Sequence, residues 1–471
     1  MKHTARKRMK RFFSPRHIAV VGATTKNQWF SNLMEYASRS GFKSSFYPVN
    51  PKAAEVKGIR AYPSIGELPA GIIDFAVVIV KSTLVLGVIE ELRLRGIRDV
   101  VLISSGFAEM GREGAAKQDQ LKGYCEDNDI LLMGPNCLGF MNLVEGTSVF
   151  AGGSVEGELL QGDIAVIGQS GATTEIIASK LLKRSLGISL YATTGNEAML
   201  RTEDCMEYLV HDGGTRVITA FMEGFRDIPR MKEVAIAAAE RQVPIIILKV
   251  GRSEKGRQAA SSHTGALAGN DEVMEGFFSQ YGIIRVDTIE ELVETAGIFS
   301  RCKLPEGGRI GICTLSGGLC GLYADLCARY GILVPGLSEK SVASLKAVLP
   351  EFAQPDNPLD LTGSGFWNGM GEIITILLDD ENLDIIAPLS FAPSGDNDDM
   401  ALKFNDTFLG LARSAPKPVI PLTFREVNDY ARRYYYEHGV YFIEHAEDSF
   451  KAIAHLIRYA EFQRRFQDKE K

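Results

Sequence analysis

The feature that most limits the fold of this chain is a repeated switch of hydrophobic period. Short apolar runs rich in β-branched residues occupy residues 17–22, 75–80, 100–103 and 130–133, and another ends at Pro48-Val49-Asn50-Pro51. Between them, residues 83–95 and 113–128 carry apolar side chains at helical spacing. Runs that are apolar throughout suit strands buried on both faces, and strands joined through helices pair in parallel. The pattern therefore predicts an α/β unit, a parallel sheet with helices on both faces, closing near Asn142. A glycine-rich connector follows, from Ala151-Gly152-Gly153 to Gly162.

The rest of the chain repeats itself. Asp163-Ile-Ala-Val-Ile-Gly-Gln-Ser-Gly-Ala is similar to Arg309-Ile-Gly-Ile-Cys-Thr-Leu-Ser-Gly-Gly, which aligns Ser170 with Ser316. Residues 217–221 align with 385–389, Val243-Pro-Ile-Ile-Ile with Lys417-Pro-Val-Ile-Pro, and 282–286 with 439–443. Features recurring in one order predict two tandem doubly wound domains. The expected division is 1–150, 151–305 and 306–471. One segment breaks the repeat. The first copy contains Gly256-Arg-Gln-Ala-Ala-Ser-Ser-His-Thr-Gly-Ala-Leu-Ala-Gly, and the corresponding residues 425–438 of the second have no counterpart. An insertion confined to one of two repeats marks a place for chemistry.

Composition narrows the function classes. Lys and Arg number 52 and Asp and Glu 59, a net charge of −7, which gives no general electrostatic case for nucleic acid or a lipid surface. The apolar run 243–250 is far shorter than a spanning helix needs. The seven cysteines are odd in number, scattered and without a Cys-x-x-Cys pair, so neither a disulfide framework nor a metal site is expected. A cytoplasmic location follows as the expectation. Residues 1–13 are basic without an apolar core, which reads as a short basic tail, with an organelle presequence as the alternative. Glycine is enriched, 47 of 471 residues, and much of it falls at the ends of the expected strands.

Those strand ends hold the candidate functional residues. Gly168-Gln-Ser-Gly-Ala-Thr-Thr follows the strand 164–167 and opens a helix expected at 174–183. The N–H groups of Ser170, Gly171 and Ala172 would face an anion, aided by the helix dipole. A tight turn without a ligand is the other reading. His263 lies in a Gly/Ala/Ser loop without hydrophobic periodicity, and an imidazole there can accept a phosphoryl group if a carboxylate orients its other nitrogen. Glu223, just after the strand 217–221, is the candidate for that carboxylate, because carboxyl ends of strands face the ligand crevice in open α/β sheets. His263 and Glu223 thus form the candidate catalytic pair.

In the first domain, the turn Val20-Val21-Gly22-Ala23-Thr24-Thr25-Lys26 has only one glycine of a Gly-x-Gly-x-x-Gly pattern. The second strand ends in Asn50 and Lys52 rather than the acid that a nicotinamide dinucleotide requires. A ligand with an additional phosphate, such as coenzyme A, fits better. Ser105-Gly106 and Asn136-Cys137 also stand at strand ends, and Cys137 is open to reading as a nucleophile or as a packing and ligand-contact residue.

Together these segments resemble the nucleoside-diphosphate-forming acyl-CoA synthetases, the superfamily of succinyl-CoA synthetase, and among them the α subunit of ADP-forming acetyl-CoA synthetases. The likeness is carried by Ile18-Ala-Val-Val-Gly-Ala, Pro48-Val-Asn-Pro-Lys, Ser105-Gly-Phe-Ala-Glu, Gly134-Pro-Asn-Cys-Leu-Gly, Gln169-Ser-Gly-Ala, Met222-Glu-Gly, Leu248-Lys-Val-Gly-Arg-Ser and Ser262-His-Thr-Gly-Ala-Leu-Ala-Gly. It implies a Rossmann-like CoA-binding domain followed by two flavodoxin-like domains. It also implies an acyl phosphate, a phosphohistidine at His263 steadied by Glu223, and phosphate held at Ser170, Gly171 and Ala172. The CoA site would be lined by Gly22, Ala23, Thr24, Asn50, Lys52, Ser105, Gly106, Asn136 and Cys137. ADP or ATP with Mg would sit on an ATP-grasp module, for which the three domains leave no room, so a separate β subunit and a hetero-oligomer are expected. The rival reading is a CoA-binding sensor or scaffold without catalysis. Two departures from the family pattern, Trp29 and Lys81-Ser82, bear on the acid accepted.

Overall fold

A computed structural model describes residues 3–258, 271–362 and 369–470. The chain forms two compact units, Met1–Lys183 with Gly187–Asp287, and Arg184–Leu186 with Thr288–Lys471.

In the first unit, β1 (His17–Val21), β2 (Ser45–Val49), β5 (Phe75–Val78), β6 (Asp99–Leu102) and β7 (Leu131–Met133) form a parallel sheet in the order β2-β1-β5-β6-β7. A short antiparallel hairpin, β3 (Glu55–Val56) with β4 (Ile59–Arg60), forms a separate sheet beside β2. β5 and β6 are buried at every position, as their unbroken apolar runs require. The helices α2 (Gln28–Arg39), α3 (Ser82–Leu94) and α4 (Arg112–Asp127) supply the crossovers.

The basic N-terminus corrects the sequence reading. It is not a tail but a helix, α1 (His3–Phe12), followed by a core residue: Phe12 and Phe13 are fully buried. Phe12 meets Phe75 edge-on at 5.0 Å, and Phe13 meets Phe140 at 5.0 Å and Tyr208 at 5.1 Å. Part of the positive charge is structural, since Arg8 and Arg11 donate to the buried carboxylate of Asp99 at 3.1 and 2.9 Å.

The second sheet of this unit runs β14-β13-β12-β10-β11-β8-β9. Its members are β8 (Gly139–Asn142), β9 (Thr147–Ser148), β10 (Gln161–Gly168), β11 (Ile188–Thr193), β12 (Val217–Met222), β13 (Ile245–Lys249) and β14 (Ile284–Val286). The pairings from β11 to β14 are parallel, whereas β8 and β9 add antiparallel at one edge. The segment expected to close the first domain at Asn142 is therefore a strand of the second sheet. That exchange locks the loops after β7 against the ends of β10 and β11.

The second unit repeats the winding. β15 (Ile310–Thr314) lies between β16 (Leu359–Asp360) and β17 (Ile385–Ala387), all parallel, and β18 (Leu389–Ser390) pairs with β19 (Leu422–Thr423). β15 stands to its neighbours as β10 stands to β11 and β12, so the repeat inferred from the sequence is present in the topology. The helix Ile289–Arg301 packs within this compact unit, which takes in Thr288–Lys471. Its core contains a buried ion cluster in which Arg184 donates to Glu294 at 2.8 Å, lies 3.2 Å from Glu444 and stacks on Phe442 at 4.0 Å. Among the described residues no helix is long and apolar enough to cross a membrane.

Candidate active site

The strand ends of the first unit enclose a cleft of about 850 Å³. Its walls come from three sources. Ile79, Lys81 and Ser82 follow β5, Ser104 and Ser105 follow β6, and Asn136, Cys137 and Leu138 follow β7. Gln169, Ser170, Gly171 and Ala172 come from the second sheet, and Trp29 from the start of α2. Segments expected to hold CoA and segments expected to hold phosphate thus face one cavity.

The turn expected to hold phosphate is built by β10 running straight into a helix. The helix α5 (Gly171–Lys183) begins three residues earlier than the sequence suggested, so the expected anion-binding amides are its first turn. The amide of Thr174 donates to the carbonyl of Ser170 at 3.1 Å, leaving the N–H groups of Gly171, Ala172 and Thr173 ahead of the first intrahelical acceptor. No acidic side chain occupies that first turn, so the positive pole is not neutralised from within. Glu175, one turn further on, also lines the cleft, and its Oε1 accepts from the amides of Gly153 and Ser154, each at 2.9 Å. Gly168 is obligatory, because a Cβ there would fall 1.9 Å from Thr174 Oγ1.

Glu223 is buried directly beyond β12. Its backbone amide donates to Gln169 Oε1 at 2.7 Å, which ties the Glu223 turn to the phosphate turn. His263 lies outside the described residues, as do Ser261, Ser262, Thr264 and Gly265.

The expected CoA residues divide into two sets. Ser105, Asn136 and Cys137 line the cleft. Gly22, Ala23, Thr24, Asn50, Lys52 and Gly106 are not part of its lining. Gly22 takes φ +88°, and a Cβ on it would come 2.2 Å from the Ile79 carbonyl. Asn50 spends its carboxamide on backbone, donating to Ala23 O at 2.7 Å and accepting from the amide of Lys52 at 2.8 Å. Lys52 itself is exposed. Gly106 packs against Ser82, whose Oγ would lie 2.6 Å from an added Cβ. Lys81 is the cation of the cleft lining and Trp29 its large aromatic, so both departures from the family pattern stand at the site.

Burial pushes the Cys137 thiol up to about 12, and the thiol donates to Leu102 O at 3.5 Å. A buried thiol hydrogen-bonded to a backbone carbonyl is a poor nucleophile. Glu109 organises the loop after β6. Its Oε1 accepts from the amide of Phe107 at 3.2 Å and from that of Gly106, and Asn196 donates to its other oxygen. Burial alone would raise this carboxyl, but the donated hydrogen bonds from Asn196 and the backbone hold it below the usual carboxylate range.

The sequence reading missed the segment that joins these parts. From the end of β11 onward, residues 193–202 bind the loops after β6, β7 and β10. Thr193 Oγ1 accepts from the Leu138 amide at 2.7 Å, Asn136 Nδ2 donates to Asn196 Oδ1 at 3.3 Å, and Glu197 accepts from Gln169 Nε2 at 3.0 Å. Glu203 is fully buried beside it. Burial, and then the charge of Glu197, push the Glu203 carboxyl up to about 7. Lys249, at the end of β13, is also buried, and burial lowers its pKa. The available signal was Thr193-Thr-Gly-Asn-Glu197 itself, a polar turn with glycine at the end of a buried strand.

Comparison with known proteins follows the same division. Residues 16–142 match the family described as a CoA binding domain, and residues 161–299 match the succinyl-CoA ligase like flavodoxin domain. The α subunit of the ADP-forming acetate–CoA ligase II of Pyrococcus furiosus is 35% identical over 388 residues, covering 81% of this chain and 82% of that protein. The ADP-forming acetate–CoA ligase I of Archaeoglobus fulgidus is 35% identical over 379 residues, 80% of this chain, which spans only 54% of that longer protein. Among solved structures, the apo form of a dinucleotide-forming acetyl-coenzyme A synthetase from Candidatus Korarchaeum cryptofilum superposes with a TM-score of 0.87. Identity is 27%, with 98% of this chain and 99% of that chain covered. The same protein in complex with phosphate and ADP gives 0.86 at 28% identity, covering 98% of each chain.

Proposed function

The chain belongs to the ADP-forming acetate–CoA ligase family, and from that membership we propose that it is an α-type subunit interconverting acyl-CoA, phosphate and a nucleoside diphosphate with carboxylic acid, CoA and a nucleoside triphosphate. Phosphate held at Ser170, Gly171 and Ala172 attacks the thioester carbonyl, the C–S bond breaks, and CoA leaves as the thiol. The imidazole of His263 then attacks the phosphorus of the acyl phosphate, and the acid leaves as its carboxylate. A terminal oxygen of the nucleoside diphosphate finally takes the phosphoryl group from His263. The positive pole of α5 suits the first step, since charge on the phosphoryl oxygens persists throughout. Glu223 orients the imidazole and favours its cationic, phosphorylated form.

The single observation that carries this reading is the shared cleft. Ser105, Asn136 and Cys137 line the same cavity as Ser170, Gly171 and Ala172, which is what a thioester meeting phosphate requires. Gly22, Ala23, Thr24, Asn50, Lys52 and Gly106 are assigned to shaping and flanking the CoA site. The division 1–150, 151–305 and 306–471 belongs to the same proposal, supported by the two family matches. The nucleotide step, with its Mg, is assigned to an ATP-grasp partner subunit and hence a hetero-oligomer. The extent of the match to a separate α subunit supports this assignment. A cytoplasmic setting fits seven free cysteines, six of them buried.

The test is phosphate-dependent release of free thiol from acetyl-CoA and from bulkier acyl-CoA thioesters by the chain with its partner subunit. Release that requires inorganic phosphate supports the reading. Thioester cleavage indifferent to phosphate contradicts it.

A further inference from the structure

We infer that Gln169 and Glu197 are positioning residues for the phosphoryl chemistry, acting through the backbone that carries Glu223. The inference rests on the reading of Glu223 and His263 given above. Gln169 is 6% exposed and every polar atom of its carboxamide is engaged. Oε1 accepts the amides of Glu223 at 2.7 Å and Gly224 at 3.2 Å, while Nε2 donates to Gly224 O at 2.7 Å and Glu197 Oε2 at 3.0 Å. Only one orientation of the carboxamide satisfies all four partners, because two of them donate and two accept. The backbone amide of Gln169 also donates to Phe221 O at 3.2 Å, so this residue ties the end of β10 to the end of β12 twice. Its immediate neighbour is Ser170, the start of the phosphate turn.

Glu197 selects the orientation. Its side chain accepts from Thr194 Oγ1 at 3.0 Å, the Thr202 amide at 2.9 Å and Thr202 Oγ1 at 2.6 Å, and Arg226 Nε lies 3.7 Å away. Its backbone is left-handed at φ +57°, a conformation a residue of this size adopts at a cost. A buried, strained carboxylate is an expensive way to fill space. It is well suited to holding an amide in one sense. A carboxamide at position 197 would set its NH2 against that of Gln169. The carboxamide at 197 is held from turning by the Thr202 amide, which donates to its other oxygen at 2.9 Å, so Gln169 turns and presents NH2 to the amides of Glu223 and Gly224. Glu197→Gln therefore displaces Glu223 without removing a side chain or opening a cavity.

The experiment measures phosphohistidine formation from acetyl phosphate by the chain with its partner subunit. Glu197→Gln is expected to slow it about 10²-fold, the scale of a small misplacement at a reacting centre. Protection by CoA against heat unfolding should be retained, since no hydrogen bond of the Glu197 side chain reaches Ser105, Asn136 or Cys137. Glu223→Gln should slow it at least as much, and Glu197→Gln added to Glu223→Gln should cost less than about threefold more, because both act by one route. Gln169→Glu, which keeps the acceptor for Glu223 and loses both donors, should show the same non-additivity and serves if Glu197→Gln does not fold. Labelling of Glu197→Gln at the parental rate, or effects that multiply fully in the double variant, overturns the inference. A parent chain that takes no label overturns the reading of His263 and this inference with it.

Discussion

The two copies of the repeat share a backbone and differ in what they hang on it. In the first, the Thr194 amide donates to Gly168 O at 2.9 Å, and in the second the Leu361 amide donates to Thr314 O at 2.8 Å, one residue past the corresponding strands. Gly195 follows at φ +59° and Thr362 at φ +50°, the same left-handed corner. Ser170 and Ser316 each precede a helix that opens on glycine. The side chains then part. Where the first copy has Gln169 and Glu223, the second has Leu315 and Phe391, and Phe391 is buried and packs edge-on against Phe404 at 4.9 Å. A doubly wound domain thus closes these corners with apolar residues at no loss of topology. The amide of Gln169 and the carboxylate of Glu223 in the first copy are therefore not demanded by the fold, and their desolvation cost is explained by the chemistry assigned to that end of the sheet.

This contrast can be broken by giving the first copy the residues of the second. The largest effect is expected from Glu223→Gln, which should lower overall turnover about 10²-fold or more with CoA binding unchanged, as measured by steady-state kinetics and ligand-induced stabilisation. Gln169→Leu should come next. It orphans the amides of Glu223 and Gly224 and the carbonyl of Gly224, at ~1–3 kcal/mol for each group left unpaired, and should appear as a clear fall in denaturation midpoint. If Gln169→Leu is as stable as the parent, the comparison loses its physical basis.

Glu203→Gln sharpens the account through pH. The folded chain holds this carboxyl at about 7 against 4.5 for the free group, so it binds the proton more tightly when folded. Its contribution favours folding below about pH 4.5 and is lost as pH rises to 7, as an ionised carboxyl must then sit buried near Glu197. Glu203→Gln should therefore be more stable than the parent at pH 8, by about 3 kcal/mol, and within about 1 kcal/mol of it at pH 5. Unfolding by urea at the two pH values measures this.

The fold was legible because its signal is local. Period, β-branched runs and glycine corners gave the sheets, and the repeated order of motifs gave the tandem copies. The N-terminal helix was misread because its described apolar anchors are few, Met9 and Phe12 with Phe13 just beyond, in a stretch whose other side chains are largely basic. The site was legible at its strand ends, where glycine and small residues mark close approach. Gln169 stood inside a recognised motif, yet its role depends on partners at 197, 223 and 224, which only the sheet brings within reach. Glu197 was not legible, since a glutamate in a polar turn looks like any solvated one until the turn is seen to be buried.

The most direct test of the central claim is the phosphoryl state of His263. Incubation of the chain and its partner subunit with acetyl phosphate should yield an acid-labile, base-stable label, seen as a phosphohistidine resonance by phosphorus NMR. The label should vanish in His263→Ala and persist when Ser316 of the second copy is replaced by alanine. No label on the parent chain, or a label that survives His263→Ala, would contradict the account.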